Sequence, residues 1–221
     1  LSDQIAHETR TPLARLRARL ERARREAEGD PTSRGAVPAL DDAIAESAEL
    51  IAVFAALLDI ARTEAATGDA RGLAPVDLAE VVGDVVDLYE GVAEERGVSF
   101  AVTTAPAVVL GERMLVTRML ANLVDNAVKF SPAGAAIDVE LTTAGGEIRL
   151  TVRDRGPGLP EGFEATAFER FTRGETAADV PGHGLGLPLV RAVALRHGMK
   201  IELQRADPGL RAVIRAPLAR I

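Results

Sequence analysis

Apolar and small residues recur along the start of the chain at alternating three- and four-residue steps. Ile5, Thr9, Leu13, Leu16, Leu20, Ala23 and Ala27 form one such series, and Leu40, Ile44, Ser47, Ile51, Phe54 and Leu58 form a second. That spacing is the seam of a coiled-coil-like helix. Gly29, Asp30, Pro31, Thr32 and Ser33 lie between the two series and carry a helix stop followed by a turn. The pattern predicts a helical hairpin over residues 1–66 with more apolar face than two helices can cover. A homodimer that closes a four-helix bundle satisfies it. The alternative is a hairpin packed on the rest of its own chain.

Residues 67–75, which include the Gly- and Asp-containing run from Thr67 to Gly72, read as a linker. The periodicity then changes, and residues 76–221 read as a mixed α/β domain. Helices are expected over Asp77–Arg96, Gly111–Phe130 and the stretch before His197. Strands are expected at Val98–Thr103, Val108–Leu110, Ala136–Thr143, Glu147–Asp154, Lys200–Gln204 and Leu210–Ala216. Gly145 and Gly146 turn the central hairpin. The irregular stretch from Arg155 to about Gly184 is long for a compact domain, which marks it as a functional lid or a disordered segment. The expected fold class is therefore α plus α/β, a helical hairpin followed by an α/β sandwich.

Composition narrows the function. Of the 221 residues 47% are hydrophobic but only 3% aromatic, so aliphatic side chains and alanine must fill the core. The net charge of −7 argues against general nucleic-acid binding. With no cysteine, a disulfide framework, a thiol nucleophile and a Cys-based zinc site are all excluded. The longest apolar run, Ile51–Leu58, ends at Asp59, far short of the roughly 20 residues a membrane helix needs. The chain opens on Leu1 inside a helical pattern, so it is expected to be a piece of a longer protein.

On a helical wheel at about 100° per residue, His7 falls roughly 160° from the centre of the seam. It therefore faces outward. Glu8 follows it, and Thr11 lies one turn on along the same face. Pro12 is expected to bend the helix there. An imidazole whose pKa is near 6.5 has an unprotonated nitrogen at neutral pH, and an adjacent carboxylate can accept the proton from its other nitrogen. The segment His7–Leu13 is thus coherent for nucleophilic phosphotransfer. A plain exposed histidine is the competing reading.

Asn122 and Asn126, the only asparagines, stand one turn apart on the long predicted helix, and Lys129 is one of only two lysines. The amide oxygens suit Mg²⁺, which takes a few hard oxygens and shares the rest of its shell with water and phosphates. A lysine point charge nearby suits a polyphosphate. Solvated amides are the alternative. Downstream, Asp154, Gly156, Gly158 and Pro160 follow a strand end, where glycines allow a ligand close to the backbone. An ordinary turn would look the same. Finally, Gly182, His183, Gly184, Leu185 and Gly186 lead into a helix, an arrangement that points free N–H groups at anions.

Taken in order, these segments resemble the sensor histidine kinases of two-component systems. His7–Leu13 is similar to the H-box of the HisKA-type hairpin. The downstream segments are similar to the N, G1, F and G2 boxes of the Bergerat-type HATPase_c domain, with Phe168–Arg173 as the F box. The resemblance spans nearly the whole chain. It implies that His7 is the phospho-acceptor, Glu8 its base, and Thr11 the residue that orients water to dephosphorylate the partner. It places Asn126 on Mg²⁺ supported by Asn122, Lys129 near the phosphates of ATP, and Arg173 near the γ-phosphate. Asp154 would read adenine, with Gly156 and Gly158 lining its pocket and Gly182, Gly184 and Gly186 forming the lid hinge. The implied partners are a second copy of the chain and a response-regulator receiver domain. No nucleic acid and no membrane contact by the fragment itself are expected. The implied setting is a cytoplasmic domain of a protein anchored in the bacterial inner membrane. Phe130, Thr172 and Pro188 depart from common family residues without removing a required group. The related chaperone and topoisomerase ATPases place a glutamate where Asn122 stands, and an amide cannot serve as that base.

Overall fold

The computed structural model describes residues 18–29, 33–66, 72–174, 180 and 182–219. The chain divides into two compact units, Leu1–Arg62 and Thr63–Ile221.

In the first unit, helix α1 occupies residues 18–29 of the described chain. A short 3₁₀ turn, Arg34–Ala36, precedes the long helix α2, Val37–Ala65. Arg24 reaches along its own helix to Glu28 at 3.1 Å and across to Asp41 of α2. Ala27 and Ser47 are buried, and the Ser47 hydroxyl donates to the Ile44 carbonyl at 2.8 Å, so the polar atom in the seam is satisfied locally. Ile44, Ile51, Phe54 and Leu58 are only partly covered, and Leu50 is 54% exposed.

The second unit is a two-layer α/β sandwich. Its main sheet has five strands in the order β2-β4-β5-β7-β6: β2 is Ser99–Thr104, β4 Ala136–Ala144, β5 Glu147–Arg153, β6 Lys200–Arg205 and β7 Leu210–Pro217. Only β2 and β4 run parallel; the other neighbours are antiparallel hairpins or returns. Period-two alternation turns Ile137, Val139 and Leu141 of β4 inward, along with Ile148, Leu150 and Val152 of β5. Helices α3, Leu78–Glu95, α4, Arg113–Phe130, and α5, Gly186–Arg196, cover that face. Central α4 buries Val116, Met119, Leu120, Leu123, Val124, Ala127 and Val128. Each such side chain contributes about 1.5–3 kcal/mol of burial.

The ends of α3 follow from single residues. Asp77 caps its N-terminus by accepting from the N–H groups of Ala79, at 2.8 Å, and Glu80. Gly97, at φ +68°, lets the chain turn back after its last residues. One element departs from expectation. Ala74–Asp77 forms a strand, β1, antiparallel to β3, Val108–Gly111, as a separate two-stranded sheet. Ala74 and Pro75 were expected in the linker. A strand of four residues containing a proline has no alternation to read, and only its distant partner defines it.

His197, before which a helix was expected to end, has a larger part than marking that end. It does end α5, but its ring is buried, at 8% exposure. Nδ1 lies 2.8 Å from the Val193 carbonyl and so donates its proton there, while Nε2 accepts the Glu112 N–H at 3.0 Å. That N–H belongs to the start of α4, where the Glu112 side chain makes no cap. The Glu112 carboxylate instead meets the buried Arg196 at 2.7 Å. One imidazole therefore joins the end of α5 to the start of α4, and only its neutral form can do so.

Burial lowers the pKa of His197 below its usual value, with Arg196 adding to the effect and the Val193 carbonyl and the Glu112 charge opposing it. Above about pH 6.5 the ring is neutral in both folded and unfolded chains; as pH falls, the unfolded chain takes the proton first and folding loses stability. Thermal unfolding measured from pH 8 to pH 5 should show wild type losing more stability below about pH 6.5 than His197→Gln. Parallel curves would remove the histidine from the account.

Candidate functional site

The polar stripe of α4 carries Asn122, Asp125, Asn126 and Lys129, all half-buried, on the side away from its apolar residues. Asn122 donates through Nδ2 to the Arg118 carbonyl at 2.8 Å. Its Oδ1 is held against Gly186, where a Cβ would sit only 2.9 Å away. A side chain at the first residue of α5 would therefore have to move the Asn122 amide aside. Lys129 pairs with Asp125 through a 2.5 Å contact one turn back. Asp125 also acts across helices, adding to burial in raising the pKa of Tyr89, the only tyrosine in the chain. Asp125 was not among the expected site residues. Its i,i+4 spacing to Lys129 was the available signal.

Asp154 stands just past the end of β5 and is 7% exposed. Its Oδ1 accepts two backbone N–H groups, from Gly156 at 2.8 Å and from Leu210 at 3.1 Å. Neither of these two donors reaches Oδ2, so that oxygen can accept from a ligand. Burial raises the carboxyl pKa, and the two N–H donors oppose the rise. Gly156 lies under the end of α4: a Cβ there would meet the Phe130 carbonyl oxygen at 2.5 Å. Gly158, at φ +71°, approaches the Gly209 carbonyl in the same way.

Gly184, at φ +67°, packs against the backbone of Phe171 and Thr172, and its carbonyl accepts the Phe171 N–H at 3.0 Å. Phe171 itself holds a left-handed φ of 63° and is 58% exposed, a costly conformation for an aromatic residue. Leu185 is buried and serves as N-cap of α5 without any side-chain cap bond. Gly182 has open space around it. Arg173 donates to the Val180 carbonyl at 2.6 Å and borders a shallow concavity of about 370 Å³ that Pro160, Glu161, Phe163 and Thr166 also line.

The structure thus brings several of the expected downstream residues together in pairs. Asn122 touches Gly186, Phe130 touches Gly156, Gly158 touches Gly209, and Gly184 touches the F-box backbone. These donors suit a nucleotide: a buried carboxylate oxygen for an exocyclic amine, amide oxygens and a lysine for a metal-bound polyphosphate, and an uncapped helix start. His7, Glu8 and Thr11 lie outside the described residues. Gly209 and Leu210 were missed in the sequence, where Asp207, Pro208 and Gly209 signal only a turn.

Comparison with known proteins agrees with this assembly. The family described as "Histidine kinase-, DNA gyrase B-, and HSP90-like ATPase" matches residues 111–220. The histidine-protein kinase/phosphatase MprB of Mycobacterium bovis is 37% identical over 215 residues, covering 95% of this chain and 41% of that protein. MprB of Mycolicibacterium vanbaalenii is 34% identical over 218 residues, with 95% and 43% covered. The chain therefore spans about two fifths of the length of these curated relatives. Among solved structures, a mycobacterial sensor histidine kinase MprB aligns at TM-score 0.60 and 33% identity, over 67% of this chain and 99% of that one. Full-length ShkA in complex with AMPPNP aligns at TM-score 0.80 and 27% identity, over 100% of this chain and 46% of that one.

Gly156 has no left-handed φ, so the cost of a methyl there is contact alone. Gly156→Ala should lower stability in urea denaturation by about 1–3 kcal/mol through overpacking against the Phe130 carbonyl. An unchanged midpoint would show that the turn gives way freely.

Proposed function

The chain belongs to the sensor histidine kinase family, and from that premise we propose that it uses ATP and Mg²⁺ to phosphorylate His7 and passes the phosphoryl group to an aspartate of a response-regulator receiver domain. The observation that carries this reading is the buried Asp154 carboxylate, joined through Gly156 to the end of the helix that bears Asn122, Asn126 and Lys129. Asp154 receives the adenine amine on Oδ2. Asn126 offers its amide oxygen to the cation, and Asn122 supports it from one turn earlier. The cation supplies charge neutralisation on the phosphates. Lys129 turns from Asp125 toward the same phosphates, and Arg173 approaches the terminal one. Gly182, Gly184 and Gly186 let the lid move.

The neutral His7 ring attacks the γ-phosphorus. A nitrogen–phosphorus bond forms, the bond to the departing ADP oxygen breaks, and the proton on the other ring nitrogen passes to Glu8. Positioning accounts for most of the acceleration in such a transfer. The half-covered seam of α2, with Ile44, Ile51, Phe54 and Leu58, supports a homodimeric four-helix bundle as the platform. Dependence on ATP supports a cytoplasmic location, in a parent protein anchored in the inner membrane. A regulator-phosphatase activity belongs to the same proposal, because Glu8 and Thr11 together can orient a water.

Incubation with γ-labelled ATP and Mg²⁺ should place acid-labile, base-stable label on wild type and none on His7→Gln. Label that survives in the variant would overturn the assignment of His7. Thr11→Ala should keep autophosphorylation and slow dephosphorylation of a phosphorylated receiver domain by roughly tenfold or more, the weight of one lost hydrogen bond of about 1.5 kcal/mol. Equal loss of both activities would assign Thr11 a structural part instead.

A further inference from the structure

We propose that the β6–β7 turn is the positioning element of the adenine-reading carboxylate, with Gly209 and the Leu210 N–H setting the rotamer of Asp154. This rests on the reading of Asp154 given above.

The ladder between β5 and β7 pairs Arg153 with Arg211. One step further, the Asp154 N–H still donates to the Leu210 carbonyl at 3.0 Å. The return bond is different. The Leu210 N–H goes to the Asp154 side chain, Oδ1, at 3.1 Å. The carboxylate has taken a strand position at the end of the sheet. With Oδ1 held there and by the Gly156 N–H, Oδ2 is the oxygen presented to a ligand.

Such closeness requires glycine at 209. A Cβ there would lie 2.0 Å from the Asp154 carbonyl oxygen and 2.9 Å from the Arg155 Cα. All the atoms it would meet are backbone, so no side-chain rotation relieves the contact. The residue also holds φ +105°, in the region that favours glycine. Its carbonyl accepts the Ala206 N–H at 2.9 Å and rests against Gly158. The turn is therefore fixed on one side by its own hairpin and on the other by the turn that carries Gly156 and Gly158. A methyl at 209 pushes the end of the sheet apart and takes the Leu210 N–H away from Oδ1.

The test compares binding of ATP with that of ITP, whose base lacks the exocyclic amine, on the full 221-residue chain. Four variants are needed: Asp154→Ala, Gly209→Ala, Leu210→Pro and Gly146→Ala. Gly146 has a similar left-handed φ of +81° but open space around it, so it reports the backbone cost alone. Leu210→Pro removes the donor and places no methyl on residue 209, although its ring also restricts the backbone there.

Gly209→Ala and Leu210→Pro should each weaken ATP binding about tenfold or more, the weight of a hydrogen bond to a charged group. ITP binding should change much less, so the ATP/ITP ratio falls toward that of Asp154→Ala. Gly146→Ala should keep the wild-type ratio. The carboxyl ¹³C titration of Asp154 should also move up in Gly209→Ala and Leu210→Pro, since an N–H that favoured the ionised form is gone; a merely structural lesion that opened the site to water would move it down, because burial is what raises it. If Gly209→Ala does not fold, Leu210→Pro decides the matter by the same two measurements. A wild-type ratio in Asp154→Ala overturns the reading of Asp154 and this inference with it. A collapsed ratio in Asp154→Ala beside a wild-type ratio and titration in Gly209→Ala or Leu210→Pro overturns the inference alone.

Discussion

Helix α4 has to do opposite things on its two sides, and the rest of the domain is arranged around that requirement. Its apolar side is sealed against the sheet, with Val116, Leu120 and Val124 fully buried. Its other side must keep two amides, a carboxylate and a lysine within reach of water and ligand. Buried amides left unpaired would cost more than the fold can spare, so the stripe lies at a rim rather than in the core. Covering it loosely is the task of the irregular segment between β5 and α5.

Close approach of backbone to backbone is how the loose cover is registered on the helix. Such contacts fall at Gly156 under the Phe130 carbonyl and at Gly184 against Phe171, while Gly186 meets the Asn122 side chain. Each is a place where one methyl group would displace a hydrogen-bonding group of the site by a sizeable fraction of an ångström. The exposed Phe171 at φ 63° shows that this registration stores strain as well as relieving it.

Much of this was legible in the sequence because its signals are local. The seam spacing of α2, the Asp77 cap of α3, the apolar period of α4 and the Gly145-Gly146 turn each declare an element within a few residues. The order and spacing of Asn122, Asn126, Asp154 and the glycines pointed to a nucleotide site, and the structure brings several of them together. What stayed hidden depends on partners far away in the chain. β1 exists only because β3 pairs with it. His197 looked like a helix end because its bond to the Glu112 N–H joins residues that sequence spacing does not relate. Lys129 looked like a free cation for phosphate, and the structure has it on Asp125. Its charge then costs little to hold until a ligand replaces the carboxylate.

The two ends of the proposed nucleotide site are built on opposite principles, and both follow from where glycine is used. At the adenine end Gly158 and Gly209 are packed against backbone, so their glycines remove freedom by allowing contact. At the proposed lid end, none of the described residues lies within 4 Å of a Cβ built at Gly182, so its glycine is not fixed by such a contact. A base read by a fixed carboxylate anchors one end of a nucleotide. The phosphate end must then be able to rearrange, because a group that is to leave cannot be held equally well before and after transfer. On the function proposed here, a rigid reader joined to a hinged cover through one helix, α4, would meet both needs.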